Sequence, residues 1–146
     1  AAREGFGTTL HAGETGGAES VRDAVLAGAR RIGHATAAGG APEVLALMAG
    51  AGVFAELCPG SNVATGAVAC FQEHPLRAFL AAGVPCCLNT DDPALFGLSL
   101  RGEYGRAREG LGLLEVEERR MQLQALAACS APMDMRADIG DRLVAD

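Results

Sequence analysis

Residues 31–57 read RIGHATAAGGAPEVLALMAGAGVFAEL and decide the fold. They open on a short run, Arg31-Ile32-Gly33, that breaks off at His34. A helix is predicted over Pro42–Ala51, with proline in its first turn, Val44, Leu45, Leu47 and Met48 as apolar positions, and Gly52 past its end. Val53-Phe54-Ala55-Glu56-Leu57 then reads as a strand and runs into Cys58-Pro59-Gly60-Ser61-Asn62. Strand, helix, strand in this order is the repeating unit of a parallel α/β sheet.

The same alternation extends in both directions. Upstream, Gly7-Thr8-Thr9-Leu10 is a short run that ends at His11, and residues 20–30 read as a helix with Val21, Ala24, Val25 and Ala29 near helical spacing and Ser20 as its cap. Downstream, a polar loop leads to His74-Pro75, a helix over residues 76–82 closed by Gly83, and a fourth strand over residues 84–88. That strand ends in Asn89-Thr90-Asp91-Asp92-Pro93. Beyond it, residues 100–109, 115–129 and 132–143 read as helices with no strand between them. In each strand-then-helix unit the chemically capable residues follow the strand directly. In parallel α/β folds that carboxyl end is the active-site face, and side-by-side strands are what bring such distant residues together. A (β/α)₈ barrel has eight such units in about 250 residues. Four units in 146 residues predict part of one, because an open four-stranded sheet would leave two unpaired edges.

Composition excludes several classes. Glycine, at 20 residues, is about twice its usual share, which favours tight turns between short elements. The net charge of −6 disfavours nucleic acid, since an acidic chain gains nothing from counterion release. No stretch approaches the ~20 apolar residues of a membrane span. Five cysteines without Cys-x-x-Cys spacing fit buried thiols in a reducing, cytoplasmic setting better than a disulfide framework. Cys86 and Cys87, adjacent on a strand, point to opposite faces and cannot share a metal.

Three constellations can carry chemistry. His11 at a strand end can ligate zinc, and Glu14, past Gly13, can turn back toward the same cavity; each alone also fits a core histidine and a solvated glutamate. His34 holds the same position in its unit as His11 does in the one before. Asp91 and Asp92 are adjacent carboxylates after a buried-looking strand. They repel each other unless a cation or donors compensate, which favours a metal site over a turn and helix cap. His74 reads as a cap or loop contact, Arg77, Arg101, Arg106 and Arg108 as solvated, and Met121, Leu123, Leu126 and Met133 as core.

Five stretches together resemble the adenosine deaminase family of the metal-dependent amidohydrolase superfamily. They are Thr9-Leu10-His11-Ala12-Gly13-Glu14, Arg31-Ile32-Gly33-His34-Ala35, Cys58-Pro59-Gly60-Ser61-Asn62, His74-Pro75-Leu76-Arg77 and Leu88-Asn89-Thr90-Asp91-Asp92-Pro93. They occur in that family's order over nearly the whole sequence. The resemblance implies the C-terminal half of a (β/α)₈ barrel, strands five to eight with additional C-terminal helices, so that residues 1–146 form a partial barrel domain whose N-terminal half lies outside this sequence. It implies one Zn²⁺ ion, with His11 and Asp91 as metal ligands. Glu14 resembles the acid that protonates N1 of the purine, His34 the histidine that orients and helps deprotonate the zinc-bound water, and Asp92 the aspartate that bonds N7. The family's His-x-His pair is absent from a sequence whose only histidines are His11, His34 and His74. These residues then supply at most two of the family's zinc ligands.

The implied reaction is hydrolytic deamination of a 6-aminopurine nucleoside, adenosine or deoxyadenosine, with release of ammonia. Ser61-Asn62-Val63-Ala64-Thr65 and Asp92-Pro93-Ala94-Leu95-Phe96-Gly97 are similar to bacterial members, some of which act on aminodeoxyfutalosine or adenine instead. An amide or ester hydrolase on the same barrel is a further alternative, and Glu14 discriminates against it. An inactive fragment or a non-catalytic binding domain is another, against which Glu14, His34, Asp91 and Asp92 together speak. The implied partner is a small purine, with neither nucleic acid nor membrane.

Overall fold

Four parallel strands lie side by side in chain order. They are β1 (Thr9–Ala12), β2 (Arg31–His34), β3 (Phe54–Leu57) and β4 (Cys86–Leu88). The computed structural model describes residues 7–145 of the protein. The register aligns His11 with Gly33, Gly33 with Glu56, and Glu56 with Cys87. The alternate row runs Leu10, Ile32, Ala55, Cys86. Because side chains alternate across a strand, the first row faces one side of the sheet and the second the other.

The second row meets the helices. Ile32, Ala55, Leu57, Cys86 and Leu88 are buried in one cluster with Val21, Ala24 and Val25 of α1 (Ala18–Leu26). Val44, Leu45 and Met48 of α2 (Pro42–Ala51) and Leu76, Phe79 and Leu80 of α4 (Leu76–Ala81) complete it. Helix α2 follows its sequence signals, with Pro42 in its first turn and Gly52 at φ +63° closing it. Leu10 stays 39% exposed on β1, whose outer edge carries no strand among the described residues. At the other edge Cys86 donates its backbone N–H to Gln124 of α7 (Glu115–Ala128) at 3.3 Å.

The architecture is the expected part of a (β/α)₈ barrel, with corrections in detail. Helix α1 stops at Leu26 rather than residue 30, because Gly28 turns left-handed at φ +86°. Ser20 does not cap it; Gly17 does, and the Ser20 hydroxyl instead donates to Gly17 O and accepts from the Gly13 N–H. Two short helices stand where loops were expected, α3 (Pro59–Ala64) and α5 (Pro93–Phe96). The C-terminal helices are α6 (Leu100–Leu111), α7 and α8 (Met133–Ala145). Among their expected core residues Met121 is fully buried, Leu126 is half-buried, and Leu123 and Met133 are exposed. Three of the arginines are half-exposed but paired, Arg77 with Glu117, Arg106 with Glu103 and Arg108 with Glu118.

Candidate functional site

The carboxyl ends of β1, β2 and β4 bring His11, His34 and Asp91 together. One potential ligand atom from each lies within 4.8 Å of the others. The imidazoles of His11 and His34 are 5.2 Å apart between ring centroids and inclined at 49°. His11 and Asp91 are exposed, whereas His34 is 2% exposed. The strand register accounts for the histidine pair. His11 lies opposite Gly33, and its ring passes 3.4 Å from where a Gly33 Cβ would stand. The ring therefore lies directly over β2.

Two of the three residues sit on left-handed backbone, His34 at φ +67° and Asp91 at φ +58°, and Ala35 joins them at φ +54°. This conformation costs roughly 1–2 kcal/mol per non-glycine residue, and such strain concentrates at functional sites. Hydrogen bonds hold it in place. The Ala35 N–H donates to Ala12 O at 2.9 Å, and the Ala37 N–H to Gly13 O at 2.8 Å.

Helix α3 supplies the rest. Ser61 and Asn62 are fully buried polar side chains. The Ser61 hydroxyl donates to Asp91 Oδ2 at 2.7 Å. The Asn62 amide lies 3.2 Å from His34 Nδ1 and accepts from the Thr36 hydroxyl at 2.9 Å. The Asn62 side chain thus bridges the Thr36 hydroxyl and the His34 ring. Nε2 is 3.4 Å from Glu14 Oε2, and the other Glu14 oxygen accepts from the Thr65 hydroxyl at 3.2 Å. Glu14 thus stands beside the cluster without joining it. Gly13 makes that turn possible at φ +74°, where a Cβ would come within 2.5 Å of Val21 Cγ2.

Of the residues singled out from sequence, His11, Glu14, His34 and Asp91 converge. Asp92 is on the same turn as Asp91, exposed, and outside the cluster; it precedes α5 without capping it through its side chain. His74 lies elsewhere, buried, with Nδ1 accepting from the Leu76 N–H at 3.2 Å, one residue before the N-cap Pro75 of α4. Sequence reasoning assigned no role to Ser61, Asn62 or Thr65. The available signal was positional, since Ser61-Asn62 follows β3 as His34 and Asp91 follow their own strands.

Three buried cysteines are poor nucleophiles. Burial, with Asp91 nearby, pushes the Cys58 thiol up to about 12, and burial does the same to Cys86 and Cys87. Two cavities, of about 870 and 780 Å³, line the opposite end and the inner face of the sheet and do not include the cluster. A cleft of about 360 Å³ bounded by Gly13, Glu14, Thr36 and Glu73 adjoins it. Two imidazoles and a carboxylate form a donor set that suits a divalent transition metal such as zinc.

Parallel βα units with histidines and an aspartate at their carboxyl ends define the class, an amidohydrolase-type barrel with a metal-competent site. The chain belongs to the adenosine deaminase family, whose profile, described as "Adenosine deaminase", matches residues 1–146. It is 45% identical over 112 residues to an aminodeoxyfutalosine deaminase of Streptomyces coelicolor, covering 76% of this chain and 29% of that protein. It is 40% identical over 119 residues to an adenosine deaminase of Shewanella loihica, covering 81% of this chain and 36% of that one. Among solved structures, the adenine deaminase of Arthrobacter aurescens superposes with a TM-score of 0.88 at 28% identity, over 99% of this chain and 44% of that one. The chain thus spans less than half the length of these relatives. Among the described residues no helix is long and apolar enough to cross a membrane.

Proposed function

We propose that these residues form the acid–base part of a zinc-dependent site that hydrolytically deaminates a 6-aminopurine nucleoside in the cytoplasm. The observation that carries the reading is the placement of Glu14. It is held between His34 Nε2 and the Thr65 hydroxyl, beside a cluster able to take a metal. His11 and Asp91 would hold the ion, and chain beyond these residues would complete its coordination. The exposure of His11 and Asp91 and the share of the relatives covered support that division. When bound, zinc supplies Lewis acidity that brings the pKa of a coordinated water toward neutrality.

The side chains of this chain do the rest. Glu14, as a carboxylic acid, donates a proton to N1 of the purine, which makes C6 electrophilic. His34 accepts the proton of the attacking water through Nε2. A bond forms between the water oxygen and C6, the C6–N bond breaks as the amino group takes up the proton held by His34, and ammonia leaves; the remaining hydroxyl proton returns to Glu14 and a 6-oxo purine results. Asp92, on the turn beside Asp91, hydrogen-bonds N7 and fixes the base. A second reading keeps the chemistry and changes the substrate to aminodeoxyfutalosine; the 45% identity to the Streptomyces coelicolor enzyme of that name favours it.

The test is an ultraviolet assay of the full-length protein with adenosine, deoxyadenosine, adenine and aminodeoxyfutalosine in parallel, repeated with Glu14→Gln. The variant is expected to retain its zinc and lose roughly 10²- to 10⁴-fold in rate, the usual contribution of a positioned acid. Undiminished deamination by the variant would reject the role of Glu14. Absence of turnover on all four substrates would reject the reaction.

A further inference from the structure

We propose that Glu103 of α6 is a positioning residue for the metal-binding cluster, fixing the first turn of α3 and, through Ser61, the carboxylate of Asp91. The inference rests on reading the cluster as a metal site, and it adds a residue that neither touches the metal nor the substrate.

Glu103 is fully buried, although a carboxylate in a core is costly unless it is paired and hydrogen-bonded. One of its oxygens pairs with Arg106, a turn further along α6, whose guanidinium stands 4.9 Å from the centre of the Phe71 ring. An exposed glutamate could make that i,i+3 pair as well, so Arg106 does not explain the burial. The other oxygen crosses to α3 and accepts the Gly60 N–H at 2.8 Å. The fit is close. A Cβ on Gly60 would lie 2.5 Å from Glu103 Oε1, 2.6 Å from Arg106 Nη2 and 2.9 Å from Leu98 Cδ1. Glycine at position 60 therefore lets the carboxylate rest against the main chain itself.

The next two residues are the ones that reach the cluster. Ser61 donates to Asp91 Oδ2 at 2.7 Å, and Asn62 contacts His34 Nδ1 at 3.2 Å. Asp91 sits on left-handed backbone at φ +58°, so its own local conformation does not hold it. The chain of contacts runs from Arg106 through Glu103, the Gly60 N–H and Ser61 to Asp91. Groups that orient metal ligands from behind typically affect metal affinity about 10- to 100-fold.

The experiment measures zinc affinity by chelator competition, together with thermal stability, on the full-length protein. The variants are Glu103→Gln, Ser61→Ala, their double, and Leu111→Ala, a buried position on α6 outside the chain of contacts. Glu103→Gln and Ser61→Ala should each weaken zinc binding roughly tenfold or more. The double should fall short of the product of the two singles, because both break one path. Leu111→Ala should lower the melting temperature and leave zinc affinity within about twofold, which separates positioning from general destabilisation. Gly60→Ala supplies a second lesion at the same contact and decides the matter if Glu103→Gln does not fold. Zinc affinity undiminished in Glu103→Gln or Gly60→Ala, or singles that multiply independently, overturns the inference. A wild-type protein that binds no zinc overturns instead the reading of the site, and this inference with it.

Discussion

Lowering the pH from 7.5 to 4 should destabilise this fold through one histidine outside the candidate site. His74 is 3% exposed, and burial alone lowers its pKa from 6.5 to about 4. Its Nδ1 accepts the Leu76 N–H, so protonation both places a charge in the core and removes the acceptor of the first N–H of α4. The sign follows from the depressed value. Above about 6.5 neither state binds the proton, and the full stability is present. Between 6.5 and about 4 the unfolded chain binds it and the folded chain does not, so stability falls with pH. Below 4 both bind it and the loss is complete. At 1.36 kcal/mol per unit the whole loss is about 3 kcal/mol, a large part of a typical 5–15 kcal/mol. Urea denaturation of wild type and His74→Asn at closely spaced pH values measures it. Asparagine cannot titrate here, and its side-chain oxygen can accept the N–H two residues on. The variant should lose about 3 kcal/mol less than wild type across this interval. Parallel pH profiles for the two proteins would refute the assignment.

Two further substitutions probe the supports of the site. Gly13→Ala forces alanine into φ +74° and drives a Cβ to 2.5 Å from Val21 Cγ2 and 3.1 Å from the Ala35 carbonyl carbon. Strain and overpacking together predict a loss of roughly 2–5 kcal/mol by denaturation, partly restored by Val21→Ala, and an unchanged melting temperature would contradict it. Asn62→Ala leaves His34 Nδ1 and the Thr36 hydroxyl buried without their partner, at about 1–3 kcal/mol each. A measured destabilisation below 1 kcal/mol would show that these groups find other partners.

Much of this arrangement is legible in the sequence, because strands in parallel units end in turns that collect polar residues. His11, Glu14, His34 and Asp91 were found from their positions after strands and from the family resemblance, and they meet in space. His74 beside Pro75 reads as a cap or loop contact, and its ring accepts the first N–H of α4 while Pro75 holds the N-cap position. Helices α3 and α5, of six and four residues, escaped because less than two turns shows no apolar period to read. Leu123 and Met133 were placed in the core from their type alone, whereas burial depends on which side of a helix meets a neighbour. Glu103 looks in sequence like any solvated glutamate of a charged helix; only tertiary packing places it against Gly60.

The residues that sequence reasoning passed over share a physical character with the strain at the site. Among the described residues three that are not glycine hold positive φ, and His34 and Asp91 are two of them. Local propensity argues against each, so longer-range contacts must impose the conformation. Those contacts are the Ala35 N–H to Ala12, Asn62 to His34, and Ser61 to Asp91. Ser61 and Asn62 have no solvent exposure, so their hydrogen bonds to the cluster are made without competition from bulk water. Strained site residues and buried polar supports are therefore two sides of one arrangement. The unfavourable dihedrals aim the imidazole and the carboxylate, and the second residues along keep them aimed. That division explains why the groups that could do chemistry are legible as motifs, while the roles of Ser61 and Asn62, though they stand in a quoted motif, emerge only when β2, α3 and the turn after β4 are brought together.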